Sequence, residues 1–111
     1  MTHPYKLYLV TDRRSLKNLC LTDVVLAAVK AGVTCVQLRE KNCSTREYID
    51  LAKALKKLLS PYQVPLFIND RLDVAIVSNA NGVHLGKTDI SYHDARLLLG
   101  DDKDIGLTIN N

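Results

Sequence analysis

The sequence predicts an α/β fold built on a parallel sheet. Three observations carry that expectation. Short apolar runs alternate with longer amphipathic ones in the order βαβαβαβαβ. The short runs are apolar at nearly every position, as strands covered on both faces are. No linker, low-complexity stretch or charge block divides the 111 residues. A chain this long buries roughly two-thirds of its unfolded surface. One core and a single domain over residues 1–111 are therefore expected.

Each element has its own signal. Lys6–Thr11 (KLYLVT) reads as the first strand. Thr22 is placed to cap a helix over Asp23–Ala31, with Gly32 as its stop. Val33–Leu38, β-branched and apolar, is the second strand. Ser44-Thr45-Arg46-Glu47 has capping-box spacing and opens the clearest helix. There Tyr48, Leu51, Ala52, Leu55, Leu58 and Leu59 fall on one helical stripe, and Pro61 ends it. Pro65–Asn69 is the third strand and Arg71–Val77 a short helix that Asn69 or Asp70 can cap. Asn81-Gly82 reads as a turn, followed by a fourth strand at Val83–Leu85. Ser91 caps a helix over Tyr92–Leu99, stopped by Gly100, and Ile105–Thr108 is the fifth strand. Two architectures satisfy this order: an open doubly wound sheet, or part of a closed (β/α)8 barrel. No Gly-x-Gly-x-x-Gly follows the first strand, which counts against a dinucleotide fold.

Composition narrows the function classes. Hydrophobic residues make up 47% and charged residues 24%, a globular balance that excludes disorder. No apolar run approaches the ~20 residues of a membrane span, so no membrane partner is expected. The net charge of +3 comes from interspersed signs. Basic residues cluster only at Arg13–Arg14 and at Lys53, Lys56 and Lys57, the latter on the outer face of a helix. With few aromatics between the charges, no nucleic-acid partner is expected. Cys20, Cys35 and Cys43 show no metal-ligand spacing, and MTHPYKLYLVTD has no signal-peptide pattern. Reduced thiols in a cytoplasmic protein are expected, with Cys35 in the core.

In parallel α/β proteins ligands gather beyond the carboxyl ends of the strands. Gln37-Leu38-Arg39-Glu40-Lys41 follows the second strand. Extended backbone puts Gln37, Arg39 and Lys41 on one side. Two cations and an amide there suit a phosphate or diphosphate; the plainer alternative is a solvated strand end with Glu40 pairing locally. Asn69-Asp70 follows the third strand, and Asp89 lies after the fourth. Either is explicable as a cap or turn residue. Together, two carboxylates beside a basic pair suit Mg2+ bridged to substrate phosphates. The two carboxylates are expected to face a common space. His84 lies on an apolar strand and reads as a hydrogen-bonded interior residue.

These segments, in this order, resemble the thiamine-phosphate synthase family. The matching pieces are YLVTD at Tyr8–Asp12, VQLREK at Val36–Lys41, FINDR at Phe67–Arg71, GVHLGKTD at Gly82–Asp89 and IGLT at Ile105–Thr108. The resemblance implies a (β/α)8 (TIM) barrel of which this chain is the first half, about five parallel strands and four helices, with the C-terminal half absent. It implies a transferase of thiamine biosynthesis. An aminopyrimidine diphosphate releases diphosphate while the nitrogen of a thiazole phosphate bonds to its methylene carbon, giving thiamine phosphate, with Mg2+ as cofactor. By the same resemblance Gln37, Leu38, Arg39, Glu40 and Lys41 line the pyrimidine diphosphate together with Asn69. Thr108 stands where the family usually has a Ser that hydrogen-bonds the same substrate, and its hydroxyl can do the same. Asp70 and Asp89 are the Mg2+ ligands. The thiazole phosphate and the leaving diphosphate are served by later loops of the barrel. Two other readings compete. A thiazole tautomerase shares the barrel but has no need of a metal-bridged diphosphate. The other is a catalytically inactive half-barrel, either unstable or self-associating through its first and fifth strands, which lack partners.

Overall fold

The computed structural model describes residues 7–13 and 20–108. The strands are β1 (Tyr8–Val10), β2 (Cys35–Leu38), β3 (Leu66–Asn69), β4 (Gly82–Leu85) and β5 (Asp104–Leu107). Between them lie α1 (Leu21–Lys30), α2 (Thr45–Leu59), α3 (Leu72–Val77) and α4 (Tyr92–Leu99). The five strands form one sheet in the order β1-β2-β3-β4-β5, every pair parallel.

That order decides between the two architectures. Parallel crossovers are overwhelmingly right-handed, so an order that never reverses sends every helix to the same face. A doubly wound sheet reverses and has helices on both. The core obeys the one-sided rule. Val36, Leu38, Leu66, Ile68, Val83 and Leu85, all of one strand parity, pack in a cluster with Leu21 and Val25 of α1 and Tyr48, Ala52, Leu55 and Leu59 of α2. The other parity faces away from the helices: Tyr8, Gln37, Phe67, Asn69, His84 and Gly106. The chain is thus an arc of a (β/α) barrel, with this second face turned inward.

The strongest sequence signals hold. The Ser44 hydroxyl accepts from Glu47 N at 3.1 Å and the Ser91 hydroxyl from Asp94 N at 3.2 Å. α4 spans Tyr92–Leu99 as expected. Several boundaries move. α1 starts at Leu21, with Cys20 as its N-cap, so Thr22 caps nothing. Burial of Leu21 draws the helix start back, and the Thr22 hydroxyl lies 3.1 Å from Cys20 Sγ instead. α2 ends at Leu59, and Pro61 sits in a 3-10 turn over Ser60–Tyr62. Arg71, not Asn69 or Asp70, is the N-cap of α3, without a side-chain bond. Gly82 is the first residue of β4 rather than part of a turn. β1 is shorter than Lys6–Thr11; Lys6, like Arg14, lies outside the described residues.

The thiols differ in environment. Burial pushes the Cys35 thiol up to about 11, and Cys35 is fully buried. Burial also raises Cys43. The exposed Cys20 is lowered, chiefly by the Thr22 hydroxyl. Because the thiolate is the nucleophile, alkylation at pH 8 followed by mass spectrometry should label Cys20 first, then Cys43, and Cys35 only on unfolding. Early labelling of Cys35 would contradict this core.

Candidate active site at the strand ends

The carboxyl ends of β2 and β3 are tied together from below. Tyr48 of α2 is fully buried, and its hydroxyl lies 2.9 Å from Leu38 O and 2.8 Å from Asn69 O, its one proton shared between them. The two strand ends that carry the candidate residues are therefore held at fixed spacing.

Asp70 follows β3 in a left-handed conformation, φ 70°. Asp and Asn tolerate that region better than other non-glycine residues. The backbone N–H still donates to His84 O at 2.8 Å, so the turn re-aims the side chain without leaving the sheet. Lys41 makes an ion pair with Asp70 Oδ2. Asp89 Oδ2 accepts from Gly86 N at 2.6 Å. A Cβ built on Gly86 would stand 3.1 Å from Asp89 Oδ2 and 3.9 Å from Asp70 Oδ1. The two carboxylates thus converge on a hollow that exists because residue 86 is glycine. Burial works to raise the Asp70 carboxyl. The hydrogen bond and charge of Lys41 and direct contact with Asp89 outweigh it, and Asp70 sits below the ordinary carboxylate value. Hard oxygen donors around an open space fit a divalent cation such as Mg2+.

The residues before these split by parity. Gln37 is buried on the inner face. Its Nε2 donates to the Tyr8 hydroxyl at 3.0 Å, and its Oε1 accepts from Asn69 Nδ2 at 2.8 Å. Leu38 is fully buried among the helices, so only its backbone reaches the strand end. Arg39 lies half-buried at the rim; its backbone N–H donates to Thr11 Oγ1 at 3.2 Å, and no described side chain pairs with its guanidinium. Glu40 pairs at 2.8 Å with Arg13, which follows β1, rather than with a local partner on a solvated strand end. Its carboxylate is only 6% exposed, and Oε2 meets no donor among the described residues. Thr108 Oγ1 lies 2.9 Å from His84 Nε2, on the inner side of β4 and β5. Gly106 makes room for that ring, since a Cβ there would stand 2.8 Å from His84 Nδ1.

The structure brings Lys41, Asp70 and Asp89 together, joins Gln37 to Asn69, and sets Arg39 at the same rim. Sequence reasoning missed Tyr8, Tyr48 and Gly86. Tyr8 carried one signal, its parity with Val10 on a strand; nothing local marks Tyr48 as a strand clamp. A separate cavity of about 490 Å³, lined by Lys53, Lys56, Lys57, Ser60, Pro61 and Ser78, lies away from these carboxylates. Lys53 and Lys57 are exposed, as the helix-face reading expects, whereas Lys56 is partly buried and its ammonium donates to Asn81 Oδ1 at 3.1 Å.

A family model described as "Thiamine monophosphate synthase" matches residues 7–111. The thiamine-phosphate synthase of Clostridium novyi (strain NT) is 50% identical over 107 residues, which are 96% of this chain and 52% of that protein. The thiamine-phosphate synthase of Clostridium botulinum (strain Loch Maree / Type A3) is 52% identical over the same shares. A solved thiamine phosphate pyrophosphorylase from Pyrococcus furiosus superposes with a TM-score of 0.87 at 35% identity, covering 96% of this chain and 50% of that one. The chain spans about half the length of the relatives it matches.

Proposed function

Since this chain belongs to the thiamine monophosphate synthase family, we propose that it supplies the pyrimidine-diphosphate and Mg2+ half of a thiamine-phosphate synthase site. The reaction is a transfer. The bond between the pyrimidine methylene and the diphosphate oxygen breaks, the diphosphate leaves with the electron pair, and the thiazole phosphate nitrogen bonds to the methylene carbon. The observation that carries the reading is the convergence of Asp70 and Asp89 on the Gly86 hollow, with Lys41 already on Asp70.

The assignments follow from chemistry. Asp70 and Asp89 would hold Mg2+, which when bound neutralises charge developing on the leaving diphosphate. Arg39 and Lys41 hold phosphate oxygens. Gln37 and Asn69 face the pyrimidine, and Thr108 offers a hydroxyl beside it. Leu38 contributes backbone, and Glu40 anchors Arg13. The thiazole phosphate belongs to the barrel segment that the relatives carry beyond these strands. A cytoplasmic location fits a biosynthetic enzyme of phosphorylated substrates. Self-association between β1 of one copy and β5 of another would satisfy both open edges; light scattering at the monomer mass would contradict it.

Calorimetric titration tests the reading. The aminopyrimidine diphosphate should bind this chain with Mg2+ and at least ten times more weakly in chelator. The same sample should form no thiamine phosphate above a no-protein control, because positioning of the second substrate is worth ~7–11 kcal/mol of barrier. Binding indifferent to Mg2+ would refute the metal assignment. Product from the pure chain would refute the division of the site.

Within this site Arg39→Ala should cost more binding than Lys41→Ala. A guanidinium holds two phosphate oxygens in a fixed fork, whereas an ammonium is a point charge. Lys41 must also leave Asp70 to reach a phosphate. A charge-assisted bond is worth ~1.5–3 kcal/mol. Equal or reversed losses in the titration would contradict the ranking.

A further inference from the structure

We infer that Tyr8 is a positioning residue for the strand-end site: its hydroxyl fixes the orientation of the Gln37 amide and, through it, makes Asn69 present a carbonyl oxygen to the ligand's base. The inference rests on the reading above that an aminopyrimidine binds there.

The geometry is a relay across three strands. Tyr8 on β1, Gln37 on β2 and Asn69 on β3 lie on the inner face, linked at 3.0 and 2.8 Å. Two amides joined in this way have two self-consistent orientations. In one, Gln37 Nε2 donates to Tyr8, Gln37 Oε1 accepts from Asn69 Nδ2, and Asn69 Oδ1 is left to the ligand. In the other, Tyr8 donates to Gln37 Oε1, Gln37 Nε2 donates to Asn69 Oδ1, and Asn69 Nδ2 is left over. Tyr8 selects between them, because a hydroxyl that spends its proton elsewhere can only accept from Gln37. Tyr8 is 41% exposed, so its hydroxyl proton has solvent to go to while its oxygen accepts from Gln37 Nε2. The Tyr8 ring is itself held against Phe67, centroids 6.3 Å apart.

Burial isolates the middle of the relay. Gln37 is 5% exposed, so it meets solvent poorly. Asn69 is the half-exposed end, next to Asp70, and no described residue donates to its Oδ1. An outward acceptor there suits an exocyclic amino group, which is a donor. An unpaired polar group across such a contact discriminates strongly between ligands with and without the matching partner.

The test compares three ligands on the whole chain with Mg2+: the aminopyrimidine diphosphate, its analogue lacking the amino group, and inorganic diphosphate. Tyr8→Phe keeps the ring and removes the hydroxyl. It should weaken the aminopyrimidine diphosphate about tenfold and move the other two less than twofold. A second readout needs no variant: the Gln37 side-chain amide proton facing Tyr8 should exchange slowly with solvent in the unaltered chain. Equal weakening of all three ligands, no weakening of any, or a freely exchanging Gln37 amide would overturn the inference. Failure of the unaltered chain to prefer the aminopyrimidine diphosphate over inorganic diphosphate would overturn the functional reading, and this inference with it.

Discussion

Gly82→Ala should destabilise the chain by about 3 kcal/mol, at the top of the usual overpacking range. In a chain of this size that corresponds to a loss on the order of 10–20 °C in Tm. A Cβ at residue 82 would press into the Asp104 carbonyl oxygen of β5 and stand 2.7 Å from Phe67 Cε2 of β3. Neither neighbour can give way cheaply. β4 is hydrogen-bonded on both sides, with Gly82 in register with Phe67 and with Asp104. Moving the Asp104 carbonyl disturbs the ladder, and Asp104 N is itself tied to Asn81 O at 3.0 Å. Phe67 is 5% exposed and has little space to turn into. Gly86→Ala is the control, because its Cβ would meet only side-chain ends, Asp89 Oδ2 at 3.1 Å and Asp70 Oδ1 at 3.9 Å. Thermal unfolding followed by circular dichroism measures both. A loss under about 1 kcal/mol for Gly82→Ala would mean that the β3-β4-β5 packing is not as described.

Asp70→Asn should lower Mg2+-dependent affinity for the pyrimidine diphosphate about 100-fold, or ~2.7 kcal/mol. The substitution is chosen for the backbone: Asn tolerates φ near 70°, so the left-handed turn survives where Ala would add strain. What goes is one of two anionic ligands, and with it the partner of Lys41. Asp89→Asn removes the other anion, whose oxygen is fixed by Gly86 N. In chelator, each variant should bind about as well as the unaltered chain, since the loss is confined to the metal-dependent part. Titrations with and without Mg2+ provide the check. A variant that retained the full Mg2+ enhancement would remove its carboxylate from the site.

How legible this was depends on range. α2 and α4 could be read because serine caps and an apolar stripe agree within one element. The start of α1 could not, because the decisive contact is Leu21 joining a core assembled from distant strands. Lys41, Asp70 and Asp89 were legible since every strand in a parallel sheet aims its carboxyl end at the same rim. Asn81-Gly82 misled for a physical reason. Locally it reads as a turn, while the need for glycine comes from Phe67 and Asp104 on the two flanking strands. Tyr8 and Tyr48 act through hydrogen bonds to partners 10 to 29 residues away. No local pattern announces such bonds. Leu38 and Glu40, implied as ligand-lining residues by the family motif, have a side chain packed in the core and a carboxylate paired with Arg13, neither of which a local pattern announces.

The central proposition is that a divalent cation and a diphosphate meet in the Gly86 hollow between Asp70 and Asp89. Mn2+, which takes the same oxygen ligands as Mg2+, reports its own position by broadening nearby nuclear magnetic resonance signals. Inorganic diphosphate with substoichiometric Mn2+ should erase the backbone amide signals of Asp70, Gly86 and Asp89 first. Signals of the acidic stretch at Asp101 and Asp102, a competing cluster away from the strand ends, should persist. Loss of the Asp101 and Asp102 signals, with Gly86 left sharp, would contradict the proposition directly.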